Sequence, residues 1–289
     1  MPLCCFRTAP DENPRLGLID GERVIPVADA GGPASLQEAL QLRRDELRTR
    51  LDAVRASSTP ALALPDVTLA APIDAQEVWA VGVTYQRSRE ARMEESTQKD
   101  VYDLVYEAER PELFFKATPS RVVGPDEAVA IRADSTWDVP EPELALVINR
   151  HGETVGYTVG NDVSSRSIEG ENPLYLPQAK VYTACAALGP SIALAWEVNS
   201  SDALAITLTI ERDGVEHFTG ETSTRQMHRS FSDLVAYLHR HNEFPHGVVL
   251  MTGTGIIPPA EFTLEDGDVV NISVAEIGTL RNPVKRLTL

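Results

Sequence analysis

Cysteine is scarce in this chain of 289 residues, and its three cysteines form no pattern that would bind a metal or build a disulfide framework. Cys4 and Cys5 are neighbours, which cannot easily bridge each other, and no C-x-x-C pair occurs. Cys185 lies in the segment 181–188, whose composition indicates a packed interior. A catalytic thiol at Cys185 is the alternative, but we favour a small apolar core residue there.

Long apolar runs are also missing. No run approaches the roughly 18 residues that a membrane-spanning helix needs. The segment from Met1 to Arg7 lacks the basic and apolar regions of a secretory signal. We therefore expect a cytoplasmic protein that has no membrane partner.

Positive charge is in short supply, because 26 Lys and Arg residues face 43 Asp and Glu residues, which gives a formal charge of −17. Such a surface repels phosphate backbones, so we expect no nucleic-acid partner. Much of this charge is explained by a generally acidic surface. An anionic substrate would nevertheless need local positive charge in its site, from a metal ion, a lysine or an arginine.

The motifs of serine and zinc hydrolases are absent. The sequence has no G-x-S-x-G elbow and no H-E-x-x-H motif. Its six histidines show no spacing typical of zinc ligands, and none precedes His151. Nucleophilic and zinc-dependent hydrolysis are therefore disfavoured.

Near the N-terminus the sequence predicts a hairpin and a helix. Asp20-Gly21 lies between two apolar runs, which is a strong hairpin signal. Ser35 precedes an apolar segment of helical period, and Glu38 three residues later completes a capping box. These elements indicate a small N-terminal α/β domain.

Residues 57–66 are rich in Pro, Ser and Ala and are typical of a linker, so we place a domain boundary near residue 70. The domain 71–289 carries many short apolar runs that regular helices do not separate. We therefore predict an α+β protein whose catalytic domain is a mixed β-roll or sandwich with peripheral helices, rather than a doubly wound α/β fold. The predicted strands are 78–83, 113–115, 128–131, 144–148, 154–159, 203–211, 216–219, 248–251 and 269–274, and the predicted helices of this domain lie within 86–109 and 232–238.

The most informative stretch contains three carboxylates on two apolar strands. Side chains alternate along a strand, so Glu141 and Glu143 lie on one face. A turn centred between His151 and Gly152 gives paired positions that sum to 303, which sets Glu141 opposite Asp162. The same register sets glycines opposite Glu143 and Val147, so we expect the carboxylate face to be open to a ligand.

Three carboxylates on one face repel one another strongly unless a cation lies among them. Hard oxygen ligands with room for water suit Mg²⁺, with Mn²⁺ or Ca²⁺ as lesser options. The alternative is a set of solvated residues at strand ends. Because the register brings all three together, we favour a metal site at Glu141, Glu143 and Asp162.

Other candidates surround this hairpin in the sequence. Lys180 follows an irregular loop that can return to the hairpin, and a lysine beside a divalent cation can serve as a base, although an isolated lysine is more often a surface charge. Thr252-Gly253-Thr254-Gly255 is no P-loop, because no lysine follows, yet it offers hydroxyl and N–H groups to a carboxylate. A simple glycine turn is the alternative. Glu112 and Lys116 flank a short apolar strand, so their charged groups are either solvated or buried with partners.

Together these residues resemble the fumarylacetoacetate hydrolase superfamily over roughly residues 76 to 287. Its signature is an E-x-E pair, an Asp about twenty residues later, a Lys and a Thr-Gly-Thr turn. Here these are Glu141-Pro-Glu143, Asp162, Lys180 and Thr252-Gly253-Thr254. The resemblance implies a mixed β-roll catalytic domain, a metal chelated by a 2-keto acid substrate, and a homo-oligomer, which we expect to be a homodimer or a homotetramer.

Within the superfamily, the segments 88–90, 110–118 and 169–178 are similar to those of 2-keto-3-deoxy-D-arabinonate dehydratases. The branch that cleaves carbon–carbon bonds has a histidine in N-Y-x-x-H-x-x-E that activates water. This chain has Ser88 at that position. The resemblance therefore favours elimination of water over hydrolysis.

The resemblance implies a Mg²⁺-dependent dehydratase that converts a 2-keto-3-deoxy-pentonate to 2-oxoglutarate semialdehyde. Lys180 is the expected base for the C3 proton, and Glu112 and Ser88 are candidates for the acid that assists departure of the C4 hydroxyl. The expected substrate-binding residues are Arg89, Lys116, Gly253 and Thr254. Two rivals remain: a hydrolase of acylpyruvates or other fumarylacetoacetate-like 1,3-diketo acids, and a binding module without catalysis.

Overall fold

The computed structural model describes residues 1–95 and 105–288. The strands are β1 Leu3–Arg7, β2 Arg15–Asp20, β3 Arg23–Pro26, β4 Leu62–Ala63, β5 Thr68–Ala70, β6 Glu77–Gly82, β7 Glu112–Ala117, β8 Val122–Val123, β9 Val129–Ile131, β10 Asp138–Val139, β11 Pro142–Ile148, β12 Thr154–Asp162, β13 Ser164–Ser165, β14 Ala186–Leu194, β15 Ala205–Arg212, β16 Val215–Ser223, β17 Val248–Met251, β18 Val269–Val274 and β19 Gly278–Arg286. The helices are α1 Leu36–Ala39, α2 Arg44–Arg55, α3 Gln86–Glu95, α4 Arg166–Glu171, α5 Leu176–Lys180 and α6 Phe231–Leu238. Short 3-10 turns lie at Leu64–Asp66, Pro119–Arg121, Pro173–Tyr175, Ser201–Ala203 and Thr224–Gln226.

Most strands belong to one large sheet, with the order β4-β3-β2-β1-β14-β12-β11-β17-β6-β7 and with β5 and β8 paired off this path. A second sheet has the order β16-β15-β18-β19-β9. The two sheets pack face to face over an apolar core to which both contribute. This mixed α+β arrangement, with few helices, confirms the predicted fold class.

The N-terminal elements form largely as predicted. The hairpin turns at Gly21, which has a positive φ of 58°, and Ser35 caps α1 by accepting a hydrogen bond from the N–H of Glu38 at 3.1 Å. The predicted single helix is two helices, since α1 ends at Ala39 and α2 begins at Arg44. The boundary near residue 70 stays a prediction, and the pairing of Leu3 with Ile192 carries the large sheet across it.

The carboxylate hairpin β11–β12 has the predicted register next to the carboxylates. Glu143 pairs with Gly160, and the N–H of Asp162 donates to the carbonyl of Glu141 at 3.0 Å. The pairing shifts by one residue next to Ile148, where the partner is Thr154. The turn is therefore centred on residue 151 rather than between residues 151 and 152. A bulge in β12 then shifts the pairing by one residue, so that the residues near the carboxylates pair as predicted.

The glycines of this hairpin do not open a ligand site, which corrects the sequence interpretation. A Cβ at Gly160 would lie 3.2 Å from Cε of Met251, and a Cβ at Gly156 would lie 2.3 Å from Cγ2 of Ile192. Ile192 is on β14, which pairs with β12, and Met251 is on β17, which lies beyond β11 in the same sheet. The glycines therefore leave room over β12 for side chains from other strands of the sheet.

Two long strands, β14 and β19, are absent from the sequence prediction. The strand β14 lies between β1 and β12, near the middle of the large sheet. Its Gly189-Pro190 dipeptide argues against a central strand in sequence, because proline cannot donate a hydrogen bond to the ladder. The predicted helical region 86–109 is helical at Gln86–Glu95, and residues 96–104 lie outside the described part of the chain.

Candidate active site

The sheet topology brings the ends of five strands to one edge. Strand β11 is antiparallel to β12 and β17, β17 is parallel to β6, and β6 is antiparallel to β7. The start of β11, the ends of β12, β17 and β6, and the start of β7 therefore meet. Carboxylates and glycine turns that are far apart in sequence gather there, and α4 and α5 cover them.

The carboxylates of Glu141, Glu143 and Asp162 form a compact buried cluster. One oxygen from each lies within 4.8 Å of the others, and none of the three residues is more than 5% exposed. The N–H of Gly253 donates to Oε2 of Glu143 at 2.6 Å. This bond explains the position of the glycine turn, whose φ of +91° at Gly253 is a conformation that suits glycine.

The donor set fits a hard divalent cation. Burial raises the pKa of the Glu143 carboxyl well above its usual value, and the charges of Asp162 and Glu141 raise it further. Three buried carboxylates this close repel one another, and a cation among them removes that repulsion. Oxygen donors of this kind are the ligands that Mg²⁺ prefers.

Lys180 reaches the same cluster from the end of α5. Its Nζ donates to Oε2 of Glu141 at 2.8 Å, to Oδ2 of Asp162 at 3.1 Å and to Oγ of Ser164 at 2.5 Å. The ammonium group is almost fully buried and also lines the cavity described below. The loop before Lys180 therefore returns to the hairpin, as the sequence predicts.

Lys116 lies behind the carboxylates rather than in the cavity. Its side chain is fully buried, and its Nζ is 2.5 Å from Oδ1 of Asp162. The same Nζ donates to the backbone carbonyls of Val163 at 2.9 Å and of Lys180 at 2.6 Å. Lys116 is thus placed to hold Asp162 and the end of α5 in position, whereas the sequence suggested direct contact with substrate.

A narrow cavity opens in front of the cluster. It contains five of the residues singled out from sequence as catalytic or substrate-binding, namely Ser88, Glu112, Lys180, Gly253 and Thr254. The other residues that line it are Val81, Gly82, Val83, Phe114, Glu141, Asp162, Glu169 and Leu176. The cavity is therefore bounded on one side by two carboxylates of the cluster, Glu141 and Asp162, and elsewhere by further carboxylates and hydroxyl groups.

Glu112 enters the cavity at the start of β7, opposite Gly82 of β6. The two residues pair in the sheet, and a Cβ at Gly82 would lie only 2.2 Å from Oε2 of Glu112. Glycine at position 82 therefore makes room for this carboxylate. Ser88, on the first turns of α3, is 6% exposed and lines the same cavity.

Thr254 lines the cavity, and its hydroxyl is engaged within its own turn. The hydroxyl donates to the carbonyl of Ile256 and accepts from the N–H of the same residue, both at 3.2 Å. The sequence suggests that Thr254 contacts a substrate carboxylate. To donate a hydrogen bond to that carboxylate, the hydroxyl must release the carbonyl of Ile256. That role stays a prediction.

Arg89 is placed away from the cavity lining. Its guanidinium lies 5.0 Å from the ring centroid of Tyr106 and its Nη1 is 3.5 Å from Oε1 of Glu107. Both partners belong to the chain that returns from α3 to β7. Substrate binding by Arg89 stays a prediction, and the contacts seen here tie two segments together.

The sequence reasoning missed Arg166 and Glu169 on α4. Ser165 caps this helix by accepting from the N–H of Ile168. Arg166 is 3% exposed, its Nη2 donates to Oε1 of Glu141 at 3.2 Å, and its Nε lies 4.0 Å from Oε2 of Glu169. The available signal was a serine cap followed by a charged pair three residues apart, which places both side chains on one helix face.

In the described part of the chain, no helix has both the length and the apolar character needed to cross a membrane.

Comparison with known proteins gives consistent matches. Residues 77–285 match the family described as fumarylacetoacetate (FAA) hydrolase C-terminal. A probable 2-keto-3-deoxyxylonate dehydratase of Haloferax volcanii is 56% identical over 213 residues, which are 74% of this chain and 73% of that protein. A 2-dehydro-3-deoxy-D-arabinonate dehydratase of Saccharolobus solfataricus is 47% identical over 225 residues, which are 76% of each.

A solved structure agrees with these relatives. It is a 2-keto-3-deoxy-D-arabinonate dehydratase complexed with magnesium and 2,5-dioxopentanoate, and it is 36% identical to this chain. The superposition has a TM-score of 0.84 and covers all of both chains.

Proposed function

We propose a function from the premise that this chain belongs to the fumarylacetoacetate hydrolase family, whose C-terminal domain matches residues 77–285. The chain is a magnesium-dependent hydro-lyase that dehydrates a 2-keto-3-deoxy sugar acid. The predicted family, reaction and cofactor are thereby confirmed. The substrate that fits best is a 2-keto-3-deoxy-pentonate, with 2-oxoglutarate semialdehyde (2,5-dioxopentanoate) as the product.

The observation that carries the residue assignments is the contact of Lys180 with two carboxylates of the cluster at the wall of the cavity. We assign Glu141, Glu143 and Asp162 as the ligands of Mg²⁺. When bound there, the ion supplies a fixed positive charge that makes the hydrogens next to a 2-keto group acidic. We assign Lys180 as the base that removes one of these hydrogens from C3.

Three partners hold the amine of Lys180 in place, namely Glu141, Asp162 and Ser164. An ammonium group has three N–H donors, and all three are used in this arrangement. Removal of the C3 proton therefore requires that the amine give up a proton and one of these bonds. Ser164 then remains a neutral partner that keeps the nitrogen aimed at the cavity.

Departure of the C4 hydroxyl as water needs a proton donor on another wall. Glu112 and Ser88 both line the cavity, and we assign Glu112 to this role because a carboxylic acid is the better donor. Gly82 leaves the space that its carboxylate occupies. Ser88 is then placed to bind a substrate hydroxyl or the departing water.

The alternative of a carbon–carbon hydrolase is not supported by the cavity. In the dehydration reaction, water is the product rather than the attacking group. Hydrolysis of an acylpyruvate requires a base that activates water, and among the described residues that line the cavity there is no histidine. Ser88 occupies the position at which the hydrolase motif has one.

We also propose that the enzyme is a cytoplasmic homodimer or homotetramer. Leu174 is 83% exposed, and Phe114, Phe115 and Leu176 help to line a surface groove that is mostly apolar. Exposed apolar surface of this kind supports association of subunits. The three cysteines are free, which is consistent with a reducing compartment. Sedimentation of the purified protein tests the oligomer.

The reaction is tested by incubating the purified protein and Mg²⁺ with a 2-keto-3-deoxy-pentonate and, separately, with an acylpyruvate. We expect formation of 2,5-dioxopentanoate from the sugar acid and little release of pyruvate from the acylpyruvate. Comparable efficiency on the acylpyruvate would reverse the assignment. A protein that binds both acids but converts neither would be a binding module.

A further inference from the structure

The proposed reaction includes more chemistry than the loss of water. Loss of the C3 proton and the C4 hydroxyl from a 2-keto-3-deoxy-pentonate gives 5-hydroxy-2-oxopent-3-enoate, in which C5 is still an alcohol. In 2,5-dioxopentanoate, C5 is an aldehyde and C4 is a CH₂ group. The second compound is an isomer of the first, so a proton must leave C5 after dehydration and protons must arrive at C3 and C4.

Removal of the C5 proton calls for a base at the end of the substrate that lies away from the metal. Five ionisable side chains line the cavity, and two of them, Glu141 and Asp162, are assigned to the metal. Lys180 is assigned to C3 and Glu112 to the departing hydroxyl. Glu169 is the remaining cavity carboxylate, and dehydration leaves it without a function.

Glu169 projects from α4 into the wall of the cavity. It lies one turn along α4 from Arg166, and the two side chains are on the same helix face. Arg166 contacts Glu141 through Nη2 and approaches Glu169 through Nε. The guanidinium therefore separates Glu169 from the metal ligands by one planar group and keeps its carboxylate at a fixed place in the cavity wall.

We propose that Glu169 is a catalytic base for a second step, in which the dehydration product is isomerised to the aldehyde. This assignment rests on the proposed dehydratase function. At 5% exposure, Glu169 is shielded from bulk water. A proton that it takes from C5 is therefore available for return to the substrate at C4.

The protons and electrons balance without any further reactant. Lys180 takes a proton from C3, and Glu112 protonates the C4 hydroxyl as the C4–O bond breaks. Glu169 then takes a proton from C5, and the electron pair of that C–H bond forms a dienolate whose charge lies on the 2-keto oxygen. Lys180 returns its proton to C3 of this dienolate, which leaves an enol at C4 and C5. Glu169 protonates C4 of the resulting enol, whose O–H proton returns to Glu112 as the C5 carbonyl forms.

Replacement of Glu169 tests this step directly. With Glu169→Gln, we expect C3 hydrogen exchange and water loss to continue while formation of 2,5-dioxopentanoate falls about 100-fold or more, a typical loss for a missing general base. The conjugated enone should accumulate, visible by its ultraviolet absorbance and by NMR. Glu171→Gln, on the exposed side of the same helix, should behave as the wild type.

Two outcomes would overturn the proposal. Formation of 2,5-dioxopentanoate by Glu169→Gln at the wild-type rate would show that another group removes the C5 proton. A variant that exchanges C3 hydrogens but loses no water would place Glu169 in the first step. Failure of the proposed function looks different, because then the wild-type protein itself would release neither the enone nor the aldehyde.

The wild-type protein allows a second test that needs no variant. With substrate that carries two deuterium atoms at C5, transfer by one shielded carboxylate should leave deuterium at C4 of the product. Product whose C4 carries no deuterium would overturn the transfer through Glu169. Glu169→Asp, which keeps the carboxylate but shortens its reach, should restore part of the aldehyde formation that Glu169→Gln loses.

Discussion

At the scale of single residues, the site is an arrangement of buried charges that constrain one another. Lys116 and Lys180 approach opposite oxygens of Asp162, and Arg166 approaches Glu141. Buried ions of this kind are costly unless each is paired, so the loss of one member affects the others. Some of these side chains therefore face the cavity, whereas others, such as Lys116, hold the cavity residues in place from behind.

The first prediction concerns the metal ligands. Glu143→Gln removes one of three anionic ligands and keeps the shape of the side chain, so activity should fall by orders of magnitude. The rise in melting temperature on addition of Mg²⁺ should also shrink, because a ligand that binds only the native state stabilises it. Glu221→Gln, on the exposed edge strand β16, is the matched control. Full activity after exhaustive chelation with EDTA would remove the metal assignment.

The second prediction concerns the proposed base. In D₂O, the wild-type enzyme should exchange the C3 hydrogens of its substrate, and Lys180→Met should not, because the amine that removes the proton is gone. Binding of the keto acid should be largely kept. Lys285→Met changes an exposed lysine of β19 and serves as the control. If the Lys180 variant exchanges C3 at the wild-type rate, Glu112 becomes the candidate base.

At the scale of elements, the strand ends and their glycines determine which side chains meet. Gly82 shows this most clearly, because a Cβ there would overlap the carboxylate of Glu112 on the neighbouring strand. The carboxylate cluster of Glu141, Glu143 and Asp162 lies at other strands, and none of its atoms is among the three nearest to that Cβ. Dehydration and metal binding should therefore respond differently to a change at position 82.

The third prediction uses that difference. Gly82→Ala should lower turnover by about 10-fold or more, because it displaces the carboxylate assigned as the proton donor. The melting-temperature shift produced by Mg²⁺ should stay unchanged. In the Glu112→Gln background the same change should have little further effect, as expected for residues that act through one contact. Equal losses in both backgrounds would mean that Gly82 acts elsewhere.

The sequence predicts the hairpin well because its information is local. Glu143 and Asp162 lie in two strands joined by a short turn, and Glu141 directly precedes the first strand, so alternation and register place all three together. The burial of Lys116 and the position of Glu169 depend on contacts between distant segments, which a single sequence does not show. Pro190 lowers the strand propensity of segment 186–194, so the sequence does not predict β14. In the structure this segment is a strand because it pairs with β1 and β12.

The fourth prediction concerns β10, which pairs antiparallel with β13 directly before α4 begins. Asp138 is fully buried there, and burial raises the pKa of its carboxyl from 3.8 to about 6. The unfolded chain therefore ionises first as the pH rises, so stability is lost between about pH 4 and pH 6. Asp138→Asn should be more stable than the wild type above pH 6, and the advantage should vanish as the pH falls below 4.

Thermal melts between pH 4 and pH 8 measure this difference. Asp202→Asn, which changes an exposed aspartate, is the control and should follow the wild type. A melting-temperature difference between the Asp138 variant and the wild type that is the same at every pH would mean that the Asp138 carboxyl does not titrate in this range.

At the scale of the whole molecule, the charge of −17 lies around a centre that also gathers carboxylates. The long-range field favours cations and disfavours the anionic substrate, so local groups must reverse it inside the cavity. In the proposed site, Lys180 and a cation held by the carboxylate cluster would do this at one end of the substrate. A cation at the carboxylate cluster would offset negative charge both locally and over the whole molecule. Occupancy of the site should therefore affect the stability of the whole fold.

The last prediction follows from the raised pKa of Glu143. Without a cation, the native protein holds the Glu143 proton more tightly than the unfolded chain does, so its stability falls as the pH rises from the ordinary value of 4.5 through the raised one. Mg²⁺ must displace that proton, so its apparent affinity should grow about tenfold per pH unit until the carboxyl is ionised and then level off. The stabilisation by a fixed Mg²⁺ concentration, measured by thermal melts, should follow the same curve. In Glu143→Gln the remaining effect of Mg²⁺ should lose this rise, and an unchanged slope in that variant would assign the competing proton to another group.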